Sequence, residues 1–108
     1  MSTFTLLHTY VAGVHHHMPG LETWAVSLPH GQRLNLAREP ENPHDHNAVK
    51  VLLTTRMIGY IPRELAPVVG ALLKNGYEVH AEVDDVDVKN KRYPTVGIAL
   101  VMPSLESK

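Results

Sequence analysis

Apolar and polar residues alternate along most of this chain. Residues 77–86 show the pattern most clearly, with apolar or aromatic side chains at every odd position up to 83 and polar ones between them. A period of two places successive side chains on opposite faces of a β-strand. Similar stretches, bounded by Gly, Pro, Asn and Asp, predict seven short strands: 4–13, 21–28, 33–38, 48–53, 57–61, 77–86 and 93–102.

The period changes to three and four between residues 65 and 73, which is typical of an amphipathic helix. Pro67 is tolerated only in the first turn of a helix, because it has no backbone N–H. We therefore predict a single turn at 63–66, a loop at 15–20, and a main helix that begins at Pro67. Gly76 is the expected C-terminal stop of that helix.

Seven short strands with one helix before the last two predict a mainly β protein in the form of a small closed barrel. Closure leaves few strand edges exposed. A length of 108 residues suits a single domain spanning 1–108 with one modest core, and no internal repeat divides it. The tail from Pro103 is expected to fray.

Composition narrows the function classes only slightly. The formal net charge of −1 gives no overall attraction to nucleic acid or membrane, although protonation of the eight histidines would add about four positive charges in mild acid. The absence of cysteine excludes disulfides, thiolate zinc sites and cysteine nucleophiles. Neither a signal-peptide pattern nor a transmembrane-length segment is present, so we expect a cytoplasmic location without membrane contact.

A stiff polar loop is predicted between the strands at 33–38 and 48–53. Pro40 and Pro43 fix φ and restrict the residues before them. Asp45 and Asn47 are residue types that bond their own backbone in tight turns. Binding groups tend to lie on such loops, but on residue types alone a turn that only satisfies the backbone explains both side chains as well.

The loop also carries a family resemblance. The stretch REPENPHDHNAVKV at 38–51, followed by IGYIP at 58–62 and an alanine-containing helix, resembles the HIRAN domain, and Val11-x-Gly13 upstream fits it. The likeness covers residues 11–86. It implies an OB-like or SH3-like β-barrel of about six to seven strands with one helix. It also implies binding of single-stranded DNA at free 3′ ends in DNA repair or replication-fork processing, with a helicase or nuclease as partner.

The resemblance further implies six nucleic-acid-binding residues: His15, His16, His44, Asp45, Tyr60 and Arg63. His15 and His16 stand where the family carries a basic and an aromatic residue, which grip a phosphate and stack on a base. Asp45 matches the acid that receives the terminal hydroxyl, and His44 stands before it where an aromatic residue is common.

Tyr60 matches a ring that lines the same pocket, and Arg63 lies where a basic side chain can reach phosphate. Core packing is the alternative explanation of a tyrosine in a strand. Strand alternation places Tyr60 opposite Ile61, so a buried Ile61 would leave Tyr60 free for a base. We expect Trp24 to pack in the core or at the barrel rim.

Two other functions remain open at this point. His15, His16, His17, His44, Asp45 and His46 are ligand types for zinc or nickel, although neighbours on an extended chain point apart. A protein-interaction module without nucleic-acid binding is also compatible with the weak net charge, and it would lack the steep salt dependence of a phosphate binder. Since no catalytic triad, P-loop or two-metal carboxylate cluster occurs, neither an enzyme nor a cofactor is expected.

Overall fold

The computed structural model describes residues 2–17, 28–89 and 94–104 of the chain. These residues form six strands and two helices: β1 Thr3–Tyr10, α1 Val14–His17, β2 Arg33–Arg38, β3 Val49–Leu53, β4 Arg56–Tyr60, α2 Ala66–Lys74, β5 His80–Asp87 and β6 Thr95–Pro103. The expectation of a mainly β fold with one main helix is confirmed. The predicted strand at 21–28 lies outside the described residues except for Leu28, as does Trp24.

The six strands form one antiparallel sheet in the order β1-β6-β5-β2-β3-β4. The sheet is consistent with an OB-like fold, but the expectation of a closed barrel is wrong because β1 and β4 do not pair as strands. Ala12, just after β1, instead exchanges two backbone hydrogen bonds of 2.7 and 2.9 Å with Tyr60 of β4. Gly13 then adopts φ +76° and the chain turns into α1, so the pairing cannot extend.

The core consists of the apolar residues that alternate along the strands. The strand residues buried most deeply in it are Leu34, Val49, Val51, Ile58, Ala81, Val83, Val96, Ile98 and Leu100. The alternation predicted at 77–86 is confirmed from Val79 onward, whereas Tyr77 is 49% exposed because it precedes β5. α2 contacts β2 and β3 and buries Ala66, Val69 and Gly70.

Both ends of α2 follow the sequence signals closely. The helix begins at Ala66, one residue before Pro67, which therefore lies in the first turn. Gly76 adopts φ +87° and donates its N–H to the carbonyl of Leu73, while Tyr77 donates to that of Leu72. This pattern satisfies helix carbonyls that would otherwise lack partners.

The short helix α1 is a correction to the sequence prediction, which assigned a loop to residues 15–20. The His16 N–H donates to the carbonyl of Gly13 at 3.0 Å, and the four residues 14–17 make a single helical turn. At the other end of the chain Pro103 is the last residue of β6, and residues 105–108 are not described. Within the described ranges, no helix is long and apolar enough to cross a membrane.

Candidate functional site

A cavity of about 430 Å³ opens beside the β2–β3 loop, between α1 and the segment that follows β4. Four of the six predicted site residues line it: His44, Asp45, Tyr60 and Arg63. The remaining lining residues are Ala12, His17, Asn42, Ala48 and Ile61. The fold therefore brings residues from three separate segments of the chain, 12–17, 42–48 and 60–63, to one surface.

Two consecutive turns shape the β2–β3 loop. In the first, the Asn42 N–H donates to the Glu39 carbonyl at 3.0 Å, with Pro40 at the second position, where its fixed φ suits the turn. In the second, the Asn47 N–H donates to Oδ1 of Asp45 at 2.9 Å, and the Ala48 N–H donates to the Asp45 carbonyl. The predicted turn at Asp45–Asn47 is thus confirmed. It occupies only one of the two Asp45 carboxylate oxygens.

The side-chain amide of Asn42 stabilises this loop through hydrogen bonds of both its oxygen and its nitrogen. Its Oδ1 accepts hydrogen bonds from the backbone N–H groups of His44 at 2.8 Å and Asp45 at 3.1 Å. Its Nδ2 donates to Oε1 of Glu39 at 2.8 Å. Asn42 therefore fixes the two residues that face the cavity relative to the end of β2. An amide suits this position because it donates and accepts at once.

Tyr60 lies half-buried on β4 with its hydroxyl tied to the same carboxylate. The hydroxyl donates to Oε1 of Glu39 at 2.8 Å. Hydrogen bonds from Asn42 and then from Tyr60 lower the pKa of Glu39, while the bond to Glu39 and burial raise the pKa of Tyr60. Ile61 is only 2% exposed, so Tyr60 lies opposite a core residue, as strand alternation predicted.

His17 of α1 packs against Tyr60 at the cavity. The two rings meet edge to face, with centroids 5.7 Å apart and an interplanar angle of 68°. Aromatic pairs favour this geometry because the positive edge of one ring faces the negative face of the other. The pair gives the cavity an aromatic side.

A cation and a carboxylate lie next to each other at the cavity. Arg63 Nε lies 3.9 Å from Asp45 Oδ2, and Arg63 Nη2 donates to the His44 carbonyl at 3.3 Å. The Arg63 side chain is 80% exposed, so this long ion pair adds little to stability. Both groups therefore remain able to exchange their mutual contact for a ligand: the carboxylate accepts hydrogen bonds, and the guanidinium donates them to anions.

The three consecutive histidines behave differently from one another. His17 lines the cavity, whereas His16 is exposed and is not among the lining residues. His15 belongs to α1, but its side chain lies outside the described part of the structure. The helical turn of α1 brings His17 back toward Gly13, so that its Cδ2 lies 3.7 Å from the position that a Cβ on Gly13 would occupy. This is why His17 lines the cavity and His16 does not. No local pattern indicates this turn, so His17 was absent from the six predicted nucleic-acid-binding residues, although it was considered as a metal ligand.

Gly59 allows the end of β1 to approach β4. A Cβ at this position would lie 2.5 Å from the Ala12 carbonyl oxygen and 2.6 Å from Val11 Cγ1. Glycine is therefore required at this position by the backbone of the neighbouring segment. Glu39, Asn42 and Gly59 were visible in the motif, but only their contacts show that they position the site. Among the residues that the structure describes, no three His, Asp or Glu side chains could together hold a metal ion.

Relatives of this chain occur within much longer proteins. The chain is 41% identical over 79 residues to a Fanconi-associated nuclease 1 homolog of Oryza sativa subsp. japonica. The aligned region covers 69% of this chain and 8% of that protein. It is 33% identical over 60 residues to the helicase-like transcription factor of Oryctolagus cuniculus. That alignment covers 55% of this chain and 6% of the factor. The match thus spans less than a tenth of either relative.

Two crystal structures share the fold. A protein from Lactobacillus plantarum superposes with a TM-score of 0.77 and 24% identity, covering 94% of this chain and 95% of that one. The HIRAN domain of human HLTF superposes with a TM-score of 0.66 and 20% identity, covering 91% and 76%. The family model of the HIRAN domain matches residues 5–102, which extends the likeness beyond the 11–86 expected from the motifs. The chain belongs to the HIRAN domain family.

Proposed function

We propose that this chain is a cytoplasmic, non-catalytic module that binds single-stranded DNA and holds a free 3′ end in the cavity between His17, Tyr60 and Asp45. The observation that carries the proposal is the juxtaposition of Asp45 and Arg63 on one rim. A carboxylate alone would repel a nucleic acid. A carboxylate beside a guanidinium suits a strand end, where a hydroxyl donor and a phosphate lie close together.

Asp45 receives the terminal 3′-hydroxyl in this proposal. An ionised carboxylate can only accept hydrogen bonds, and the Oδ1 atom is already occupied by the N–H of Asn47. Oδ2 is the atom that faces Arg63, so it is the natural acceptor for the hydroxyl. A 3′-phosphate would place a second negative charge at the same oxygen.

Tyr60 and His17 supply the contact with the terminal base. Stacking on an aromatic ring contributes about 1–3 kcal/mol per base and tolerates any sequence. Tyr60 is suited to this role because its hydrogen bond to Glu39 fixes the ring before a ligand arrives. A preorganised ring loses less conformational entropy on binding.

Arg63, with His44 beside it, supplies the contact with a backbone phosphate. Its high exposure leaves the guanidinium able to turn from Asp45 and His44 toward an anion. The relatives named above are a nuclease homolog and a helicase-like factor. They support a setting in DNA repair or replication-fork processing, with a helicase or nuclease as the protein partner.

A titration that varies only the strand end tests this function. Fluorescence anisotropy would compare one labelled oligonucleotide carrying a 3′-hydroxyl with the same strand carrying a 3′-phosphate, and with a circular strand of equal composition. We expect the 3′-hydroxyl strand to bind most tightly and its affinity to fall steeply with salt. Equal affinity for all three would contradict end recognition, and no salt dependence would contradict phosphate binding.

A further inference from the structure

A second groove, of about 230 Å³, lies between the β2–β3 loop and α2. We call it the α2 groove. It is lined by Arg38, His46, Asn47, Pro67, Gly70, Ala71 and Lys74, none of which lines the first cavity. Nothing in the proposed end-binding function uses it.

The lining of the α2 groove carries positive charge and no negative charge. Arg38 ends β2 and Lys74 ends α2, and both side chains are exposed. No acidic residue lines the groove. Within the described residues neither Arg38 nor Lys74 forms an ion pair with a carboxylate. Two permanent cations therefore face one opening without being neutralised, which favours an anionic ligand.

The groove also offers a neutral donor and an open floor. The side-chain amide of Asn47 makes no hydrogen bond to any described residue, although its backbone N–H is used by Asp45. On α2, the groove is bordered by the small residues Gly70 and Ala71. A group as large as a phosphate can thus approach the helix surface, with an amide donor and two cations around it.

The two cavities are neighbours along the same loop. His44 and Asp45 line the first, while His46 and Asn47 line the second. The Cα atoms of Asp45 and Asn47 can be no more than about 7 Å apart, since an extended chain advances at most about 3.6 Å per residue. The two openings are therefore close enough for one strand to reach both.

We propose that the α2 groove binds a backbone phosphate of the same strand whose 3′ nucleotide occupies the first cavity. The inference rests on the proposed function and extends it: the β2–β3 loop divides the strand between an end-recognising cavity and a phosphate-binding groove. Arg38 and Lys74 provide charge, and Asn47 provides a hydrogen-bond donor. The first cavity then determines end selectivity, and the α2 groove adds affinity for strands longer than the terminal nucleotides.

The test compares strand lengths in variants with matched charge changes. Arg38→Gln and Lys74→Gln each remove one cation from the groove. Arg33→Gln removes the same charge at the opposite end of β2, about 17 Å away at roughly 3.3 Å per residue. Each variant would be titrated with a thymidine dinucleotide and a decamer, both with 3′-hydroxyl ends, over a series of salt concentrations, after thermal melting has shown that it is folded.

We expect Arg38→Gln and Lys74→Gln to bind the decamer roughly two- to fivefold more weakly at low salt. Their salt slopes should fall by about 0.7, the value for one lost phosphate contact on a single strand. The dinucleotide affinity, and all affinities of Arg33→Gln, should match the wild type.

If Arg38→Gln and Lys74→Gln leave the salt slope unchanged and the preference for 3′-hydroxyl ends intact, the proposal of a phosphate-binding α2 groove is wrong and the end-binding function stands. An equal decrease in Arg33→Gln would also overturn that proposal, because it would indicate a general charge effect. Lowered slopes in a protein without end preference would contradict the end-binding function and retain the groove. A wild type that binds no oligonucleotide would overturn both proposals.

Discussion

The hydroxyl of Tyr60 and the carboxylate of Glu39 are joined by a 2.8 Å hydrogen bond across 21 residues of chain. The bond links β4 to the residue that follows β2. Asn42 donates a second hydrogen bond to the same carboxylate oxygen. One carboxylate thereby fixes an aromatic wall of the cavity and the loop that carries Asp45. Glu39 lies outside the set of lining residues, so its role is to position Tyr60 and Asn42.

Two substitutions of Tyr60 separate its ring from its hydroxyl. Tyr60→Phe removes the hydrogen bond to Glu39 and should lower the free energy of unfolding by about 1 kcal/mol, with a loss of DNA affinity smaller than that of Tyr60→Ala because the ring remains but is less firmly fixed before binding. Tyr60→Ala removes the ring and should weaken binding by about 1–3 kcal/mol if the ring stacks on a base. Thermal melting and oligonucleotide titration on both variants measure the two effects. A Tyr60→Ala protein that melts much earlier but binds normally would assign the ring to the core.

The stability of the protein should depend on pH through Glu39. Its pKa in the folded state lies below the ordinary 4.5 because Asn42 and Tyr60 donate hydrogen bonds to it. A lowered folded-state pKa adds stability above the unfolded-state value, and that stability is lost as the pH falls through the folded-state value. Urea unfolding between pH 6 and 3 should therefore show a smaller loss of stability in Glu39→Gln than in wild type. Parallel curves for the two proteins would contradict the contribution of Glu39.

The Asp45 carboxylate should act as a filter for strand ends. Asp45→Ala should lose about 1.5–3 kcal/mol of affinity for a 3′-hydroxyl strand, the range for a hydrogen bond to a charged group. It should bind a 3′-phosphate strand no worse. Asp45→Asn retains an oxygen for the Asn47 N–H, so it tests the charge without removing the turn.

Asp87 provides a matched control for Asp45. Its Oδ1 accepts a hydrogen bond from the Lys89 N–H at 2.9 Å, which repeats the local geometry of Asp45 in a different turn. Asp87→Asn changes the net charge equally and should leave end preference intact. Parallel losses for both strand ends in Asp45→Ala would return Asp45 to a purely structural role.

Two glycine substitutions should have opposite effects on stability. Gly59→Ala forces a Cβ against the Ala12 carbonyl oxygen at 2.5 Å, and overpacking of this kind costs about 1–3 kcal/mol. Gly70→Ala places a Cβ in ordinary contact, 3.7 Å from Val49 Cγ2, within a helix. Alanine is favoured over glycine there by about 0.5–1 kcal/mol. Thermal melting of both variants checks the signs, and a stable Gly59→Ala would show that Ala12 can retreat from β4.

Local sequence patterns predicted the parts of the fold that depend on neighbouring residues. Alternation located β2 at Arg33–Arg38, and Gly76 marked the end of α2, because period and backbone freedom are local properties. The pairing of Ala12 with Tyr60 joins distant segments and has no local signature. Nor does any local pattern show that the turn at Gly13 into α1 ends this pairing after one residue, so a closed barrel was predicted where the structure has an open sheet.

The same distinction applies to the candidate site. His44, Asp45, Tyr60 and Arg63 were selected through the motif, and the structure places all four at one cavity. His17 could not be chosen among three consecutive histidines without knowing that residues 14–17 form a helical turn. The roles of Glu39 and Asn42 likewise depend on side-chain bonds that cross between turns and strands.

The single bridge between Ala12 and Tyr60 makes the cavity wall a separate unit of local opening. Two backbone hydrogen bonds hold the end of β1 against β4, and α1 with His17 follows directly after them. Opening this edge breaks the two bonds and exposes Val14, which is buried in the core, and it still costs less than global unfolding because the rest of the sheet stays paired. Hydrogen exchange at the Ala12 and Tyr60 amides therefore reports how often this side of the cavity opens, and a strand end bound in the cavity would slow that exchange.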